Sequence, residues 1–161
     1  MKFLLYFLLL SEALFFSNLT SAQDLMKERI RKLSNNKTSI YIEKGIFHNG
    51  GVKQEAVLKA IRQSFNPKQG FERIVIDFST NQIPKVYGHI SSADKKLYID
   101  FFDTTLAKDL QTISSTRFVE KVNFFPIESN YVSMEMKLKA KVNADIFYLE
   151  NPGRLVIDFK N

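Results

Sequence analysis

From Ile40 onward, short runs of Ile, Val, Phe and Tyr alternate with polar residues and are separated by Gly, Pro, Asn, Asp and Ser. A period of two is typical of strands that bury one face, and the separating residues are typical of turns. The pattern predicts nine strands, at residues 39–43, 58–65, 72–79, 85–91, 96–102, 118–125, 131–142, 146–150 and 154–159.

Two regions also fit a helical period. In residues 52–61, Val52, Ala56 and Ala60 fall on one helical face, so we expect a small helix or helical turn before the strand. Residues 103–116 lack strand alternation, and we expect a second turn of helix at 105–110. The predicted fold therefore contains one or two short helices beside its strands.

An internal repeat links the strands. Three segments end alike, as ERIVIDF at 72–78, KKLYIDF at 95–101 and GRLVIDF at 153–159. Sliding the chain by 58 positions lays Asp100 on Asp158, Lys96 on Arg154 and Asp77 on Glu135 without a gap. Residues 71–102 and 129–160 are then two copies of one unit. Two copies are too few for a solenoid, which favours one pseudo-symmetric domain.

Alternation within each copy gives every strand one apolar face. Leu155, Ile157 and Phe159 share a face in the last strand, while Arg154 and Asp158 lie on the other. Two half-buried sheets satisfy their apolar faces by packing together. The predicted fold class is all-β, a small β-sandwich of two pseudo-symmetric sheets built from the internal repeat.

The N-terminus has the features of a secretory signal. Lys2 supplies a positive start, residues 3–10 are uninterruptedly apolar, and small residues precede a cleavage site after Ala22. The apolar run is far shorter than the roughly 20 residues of a membrane span, and Glu12 interrupts it, so an uncleaved anchor is the weaker alternative. We expect a cleavable signal at 1–22, a basic tether or short amphipathic helix at 23–39, and a domain at 40–161.

Composition narrows the class of partner. The chain has no cysteine, which excludes a disulfide framework, a thiolate metal site and a lipoprotein anchor. Its formal net charge is +6. A basic exported protein can meet anionic lipid, wall polymer or nucleic acid, and the last is unusual outside the cytoplasm. We expect a periplasmic protein with an anionic envelope partner, no nucleic-acid partner and no stable membrane span.

Candidate chemistry is sparse. The only histidines are His48 and His89, and the familiar nucleophile, zinc-protease and phosphate-loop motifs are missing. Acidic residues at equivalent places in the repeated strands, such as Asp100 and Asp158, favour an architectural role over a pair that flanks one glycosidic bond. We predict that the protein is not an enzyme and needs no metal or cofactor.

Charged residues on the outward strand positions are the candidate binding site. Arg73 and Asp77 lie four positions apart on one strand, about 13 Å, so each needs a partner elsewhere. Cross-strand ion pairs are one interpretation, and an outer face that grips a sugar or peptide polymer is the other. The candidate binding residues are Arg73, Asp77, Lys96, Tyr98, Asp100, Arg154 and Asp158.

The ending FYLENPGRLVIDF at 147–159 resembles the closing motif of the AMIN domain, and IRQSFNPKQGFERIVIDF at 61–78 resembles its opening. The resemblance implies a β-sandwich in the bacterial envelope, of the kind attached to cell-wall amidases and secretin pores and associated with peptidoglycan binding. Arg73, Asp77, Arg154 and Asp158 match the motif, and Lys96 stands where the motif prefers Arg. No amidase or secretin part follows before Asn161, so we expect a free-standing module.

The predicted function is therefore a non-catalytic, periplasmic peptidoglycan-binding or localisation module. The alternative is an adaptor that docks a secretion, pilus or division complex, by strand addition or through the 23–39 segment as a helix in a groove. An enzyme acting on the wall is a third, weaker hypothesis.

Overall fold

The computed structural model describes residues 39–42, 45–49 and 53–161. The predicted signal at 1–22 and nearly all of the 23–39 segment lie outside these residues. Eleven strands form the described part: β1 Ser39–Ile42, β2 Gly45–Asn49, β3 Ala56–Asn66, β4 Phe71–Phe78, β5 Val86–Ser91, β6 Lys96–Phe102, β7 Thr104–Leu106, β8 Val119–Glu128, β9 Tyr131–Leu138, β10 Asn143–Leu149 and β11 Arg154–Lys160.

The strands form two sheets that enclose one core. A six-stranded sheet has the order β1-β10-β11-β4-β3-β7, and a five-stranded sheet has the order β2-β5-β6-β9-β8. Their pairs are antiparallel except for β3 and β7. Phe78 of one sheet meets Phe101 of the other with ring centroids 5.7 Å apart. The predicted β-sandwich is confirmed.

Alternation decides which side chains enter this core. On β6, Leu97, Ile99 and Phe101 are fully buried, and the residues between them are partly exposed. The inward residues of β4 and β9 behave alike, with Ile74 and Met134 fully buried. Burial of such a side chain contributes about 2 kcal/mol, so a one-residue slip of any central strand would be costly.

Both sheets use the same strand order for equivalent strands. The repeat equates β4, β5 and β6 with β9, β10 and β11, and the orders β10-β11-β4-β3 and β5-β6-β9-β8 then correspond. Each copy begins in one sheet and finishes in the other, because the chain crosses the sandwich between β4 and β5 and again between β9 and β10. Each sheet therefore contains half of each copy, which produces the pseudo-symmetry.

The gapless alignment of the copies is wrong at one point. Val156 of β11 lies opposite Val75, and its equivalent on β6, Tyr98, lies opposite Glu135. Strands β4 and β9 thus correspond at an offset of 60 rather than 58, and Asp77 corresponds to Lys137. The physical reason is a connection between β9 and β10 that is shorter than the one between β4 and β5.

Backbone hydrogen bonds obey the corrected offset. The amide of Phe78 donates to the carbonyl of Gly153 at 3.0 Å, and the amide of Leu138 donates to the carbonyl of Lys95 at 2.8 Å. Both bonds join the end of a central strand to the turn before its neighbour. The shift of two residues keeps every side chain on its original face.

The expected helices are absent from the described residues, which contain strands only. Residues from Ala56 belong to β3, where Ala56 and Leu58 are buried at a spacing of two. Leu106 falls in β7, which pairs in parallel with β3. Tertiary pairing at this edge outweighs the weak helical period, as is common for short segments. The pattern also missed β2, which has five residues and buries only Phe47.

Candidate functional site

The seven residues predicted to bind are divided between the two outer faces of the sandwich. The outer face of the six-stranded sheet carries four of them, and that of the five-stranded sheet carries three. The division follows from the crossing of each copy between sheets, which sends equivalent strands to opposite sides. The first group is Arg73, Asp77, Arg154 and Asp158, and the second is Lys96, Tyr98 and Asp100.

On the six-stranded face, Arg73 and Asp158 form a bidentate ion pair. They lie opposite each other on β4 and β11, with Nε to Oδ1 and Nη2 to Oδ2 both 2.7 Å. Asp158 is only 5% exposed. The guanidinium also lies 5.0 Å from the ring centroid of Phe71 and 5.4 Å from that of Phe147. The bonds to Asp158 raise the pKa of Arg73. The two charged groups bond to each other and so join β4 to β11.

The second pair on this face joins Asp77 to Arg62. Asp77 lies opposite Arg154 in register, yet it accepts two bonds from Arg62 at 2.6 and 2.7 Å. Arg62 on β3 was not predicted, because a pairing across β3 and β4 requires knowledge of the sheet. Arg154 instead donates to the carbonyl of Pro152 at 3.4 Å. The four predicted residues of this face therefore make mainly structural bonds.

The five-stranded face presents two complete rows of outward side chains across its five strands. One row runs Ile46, His89, Tyr98, Glu135, Asn123, and the next runs His48, Tyr87, Asp100, Ser133, Phe125. The positions between them, such as Ile99, point into the core. Apolar, aromatic and hydrogen-bonding groups thus lie together on one surface.

Rings on this surface lie with faces aligned and partly open to solvent. His89 and Tyr98 stack at 6.5 Å between centroids with an interplanar angle of 21°. Phe102 and Tyr131, at the end of the same face, stack at 5.1 Å and 17°. Of the side chains in these rows, Ile46, Tyr87 and Phe125 are 59%, 39% and 47% exposed. We call this surface, from His48 and Ile46 across to Phe125, the aromatic face.

Polar groups between the rings form a network. Lys96 donates to Glu135 at 2.8 Å, and this bond lowers the pKa of Glu135, as do Asn123 and Tyr98 to a smaller degree. The same partner raises the pKa of Lys96. Burial and then the nearby Asp100 carboxylate raise the pKa of the Tyr131 hydroxyl, which stays neutral as a donor. The Lys96 and Glu135 side chains, which are 30% and 20% exposed, therefore bond to each other at the surface of the sheet.

Sequence reasoning missed several members of the aromatic face. Tyr87 and His89 occupy alternate positions of a predicted strand, so a period of two could have placed them on one side. Phe125 follows the same rule on β8. What the sequence lacked was the order of the strands, which brings these residues beside Tyr98.

The described residues contain no cluster of three or more His, Asp or Glu side chains arranged to hold a metal ion. His48 and His89 lie on neighbouring strands of the aromatic face, and His89 stacks on Tyr98. In the described part of the chain, no helix has the length and apolar character needed to cross a bilayer.

Comparison with known proteins adds no relative. No protein-family model matches the chain, and no curated protein sequence is significantly similar to it. The structure defines the class as an all-β sandwich in which each sheet contains half of each repeat copy. The resemblance to the AMIN domain stays a prediction.

Proposed function

We propose that the protein is a non-catalytic, periplasmic module that binds peptidoglycan through the aromatic face. The observation that carries this proposal is the pair of uninterrupted rows across five strands in which aromatic side chains lie beside hydrogen-bonding groups. The export signal predicted at 1–22 supports the location, and the resemblance to AMIN domains supports the polymer.

The chemistry of the face suits a glycan strand with peptide substituents. Sugar rings have apolar faces that pack on flat aromatic side chains, and Tyr87 and Tyr98 present such surfaces with a hydroxyl at the rim. Lys96, Asp100 and Glu135 supply a donor and acceptors for hydroxyl and amide groups. The net charge of +6 attracts a polymer whose stem peptides end in carboxylates.

Sedimentation with purified sacculi tests the proposal. The exported protein should pellet with sacculi at low and moderate salt. The double variant Tyr87→Ala/Tyr98→Ala should lose about tenfold in affinity, because two ring contacts together supply about 1.4 kcal/mol. The matched control is Arg62→Gln on the opposite face, which should bind as the wild type does.

Two results would contradict this proposal in different ways. A wild-type protein that stays in the supernatant at every salt concentration excludes peptidoglycan as the partner. Equal loss of binding in the tyrosine and Arg62 variants excludes the aromatic face as the site. Circular dichroism of each variant verifies that it is folded.

The adaptor hypothesis is the second candidate, and the edge strand β8 favours it. Among the described strands, β8 has no neighbour other than β9, and Phe125 and Ile127 near its end are 47% and 57% exposed. Free strand edges accept an added strand. A photo-reactive residue at Ile127 should cross-link a single envelope protein in cells, while one at Lys68 in the β3–β4 turn should not. No adduct at Ile127 would contradict the adaptor.

A further inference from the structure

A cleft opens where β5 begins and β6 ends, beyond the residues used in the proposed function. Its volume is about 610 Å³, within the range of small-molecule sites. Two cations and two carboxylates line it, together with the stacked rings of Phe102 and Tyr131. The charged residues are Lys53, Lys85, Asp103 and Glu128.

Backbone hydrogen bonds fix the walls of this cleft. The amide of Phe102 donates to the carbonyl of Lys85 at 3.0 Å, and that of Ala56 donates to the carbonyl of Asp103 at 2.8 Å. Thr104 is fully buried, and its amide donates to the carbonyl of Asn130 at 2.8 Å. Asp103 itself has a φ of 50°, a conformation held by these bonds. The charged groups therefore project from a rigid frame.

The charges of the cleft do not neutralise one another. Within the described residues, Lys53, Lys85 and Glu128 form no ion pair. The Asp103 carboxylate accepts one bond, from the side-chain Nδ2 of Asn130 at 3.2 Å. The ammonium of Lys85 lies 5.2 Å from the ring centroid of Phe102. A ring holds this cation without cancelling its charge, so the ammonium keeps its capacity to bind an anion.

The sign of a matching ligand follows from this arrangement. The two lysines would attract a simple anion, but Asp103 and Glu128 would repel it. A simple cation would be attracted by the two carboxylates and repelled by the two lysines. A compact group that carries both signs satisfies both pairs at once. The rings of Phe102 and Tyr131 offer apolar surface to a short carbon chain beside those charges.

We propose that this cleft binds a zwitterionic ligand of the amino-acid type, with its carboxylate toward Lys53 and Lys85 and its ammonium toward Glu128 and Asp103. The inference rests on the cleft alone and not on peptidoglycan binding by the aromatic face. A free amino acid and the unblocked end of a diamino acid in a wall peptide share this chemistry.

NMR titration of the ¹⁵N-labelled protein tests the charge requirement. The probe is meso-diaminopimelic acid, which is zwitterionic at each end. The comparison compounds are pimelic acid, with carboxylates only, and 1,5-diaminopentane, with ammonium groups only. The amides of Lys85, Phe102, Asp103 and Tyr131 should shift with the zwitterion, and the other two compounds should bind at least about tenfold more weakly.

Variants give the matched controls. Lys85→Met and Glu128→Gln should each weaken binding of the zwitterion about tenfold, because each removes one charge-assisted bond. Lys68→Met, which removes a charge from the β3–β4 turn, should leave it unchanged. Absence of shifts, or equal binding of pimelic acid, would overturn the proposal. Equal effects of all three variants would also overturn it.

Sacculus binding by the same variants separates the two ligand sources and the two proposals. If Lys85→Met lowers retention on sacculi, the ligand is the end of a wall peptide, and if retention is unchanged it is a free amino acid. These two results decide only between the two ligand sources, because the NMR titration decides whether the cleft binds the zwitterion. Sacculus binding without any binding of the zwitterion contradicts the cleft alone, and binding of the zwitterion without sacculus binding contradicts the proposed function alone.

Discussion

The two outer faces of the sandwich carry equivalent strands of one repeat and use them differently. On the six-stranded face, Asp158 lies opposite Arg73 and is buried in a bidentate pair. On the five-stranded face, the equivalent Asp100 lies opposite Ser133, which offers no charge. One aspartate is buried in an ion pair that joins two strands, and the other lies at the surface, where the Tyr131 hydroxyl donates a hydrogen bond to it.

A two-residue difference produces this divergence. Because β9 corresponds to β4 at an offset of 60, the position of Arg73 is filled by Ser133 on the five-stranded face. The same shift places Glu135 beside Tyr98, where it accepts a bond from Lys96. A repeat can therefore preserve its core while one sheet has a bidentate Arg–Asp pair and the other has the partly exposed Lys96–Glu135 pair in its place.

The largest expected loss of stability follows from breaking the ion pair between Arg73 and Asp158. Asp158→Asn should lower the free energy of unfolding by about 2 kcal/mol, because the amide group of the buried Asn side chain would face the guanidinium of Arg73 donor to donor. Asp100→Asn on the other face is the matched variant and should cost less than about 0.5 kcal/mol. Urea unfolding measures both. Equal losses would show that the two faces do not differ as described.

The stacked rings on the five-stranded face should contribute less to the free energy of unfolding than the Arg73–Asp158 pair does. Phe102→Leu keeps an apolar side chain but removes the stack on Tyr131 and the cation–π contact with Lys85. We expect a loss of about 1 kcal/mol in urea unfolding. Phe125→Leu, at an exposed ring, is the control and should change stability little. If Phe125→Leu lowered stability as much as Phe102→Leu, the stack on Tyr131 and the contact with Lys85 would not explain the loss at Phe102.

Acid should weaken the Lys96–Glu135 pair. The folded-state pKa of Glu135 is lowered by Lys96, so the stabilisation is present above the unfolded pKa of about 4.3 and is lost as pH falls through the lower folded value. An NMR titration should give a lower midpoint for Glu135 in the wild type than in Lys96→Met. An unchanged midpoint would mean that the pair does not form in solution.

The smallest effect should follow loss of the exposed pair on the six-stranded face. Arg62 is 59% exposed, so its bond to Asp77 is well solvated. Arg62→Gln should lower stability by less than about 0.5 kcal/mol in urea unfolding. A loss comparable with that of Asp158→Asn would show that exposure does not rank the two pairs of this face.

Much of the fold could be predicted from the chain, and little of the site. The alternation in residues 96–102 identifies a half-buried strand, and the strand forms there. The helical period over 52–61 failed because β3 gains backbone partners on both sides, β4 and β7, which no local pattern reveals. Likewise, Arg62 reaches Asp77 only because β3 and β4 are neighbours.

The turn at Asn151 also separates what the sequence predicts from what the tertiary structure adds. The Asn-Pro-Gly run predicts a turn from its residues alone. The structure adds that Gly153 packs on the β4–β5 loop, where a Cβ atom would lie 2.5 Å from the carbonyl oxygen of Gln82. That requirement for glycine comes from a distant part of the chain, not from the turn itself.

The sequence by itself determined the all-β class, most of the strands, the faces of each strand and the presence of two copies, because each depends on local periodicity. Only the tertiary structure decided which strands are neighbours, and hence that Arg73 holds Asp158 while Asp100 stands beside Tyr87 and Tyr131. Strand order and register are set by the packing of both sheets around one shared core. The free energy of burying that core is a sum over the whole domain, so no single segment determines it.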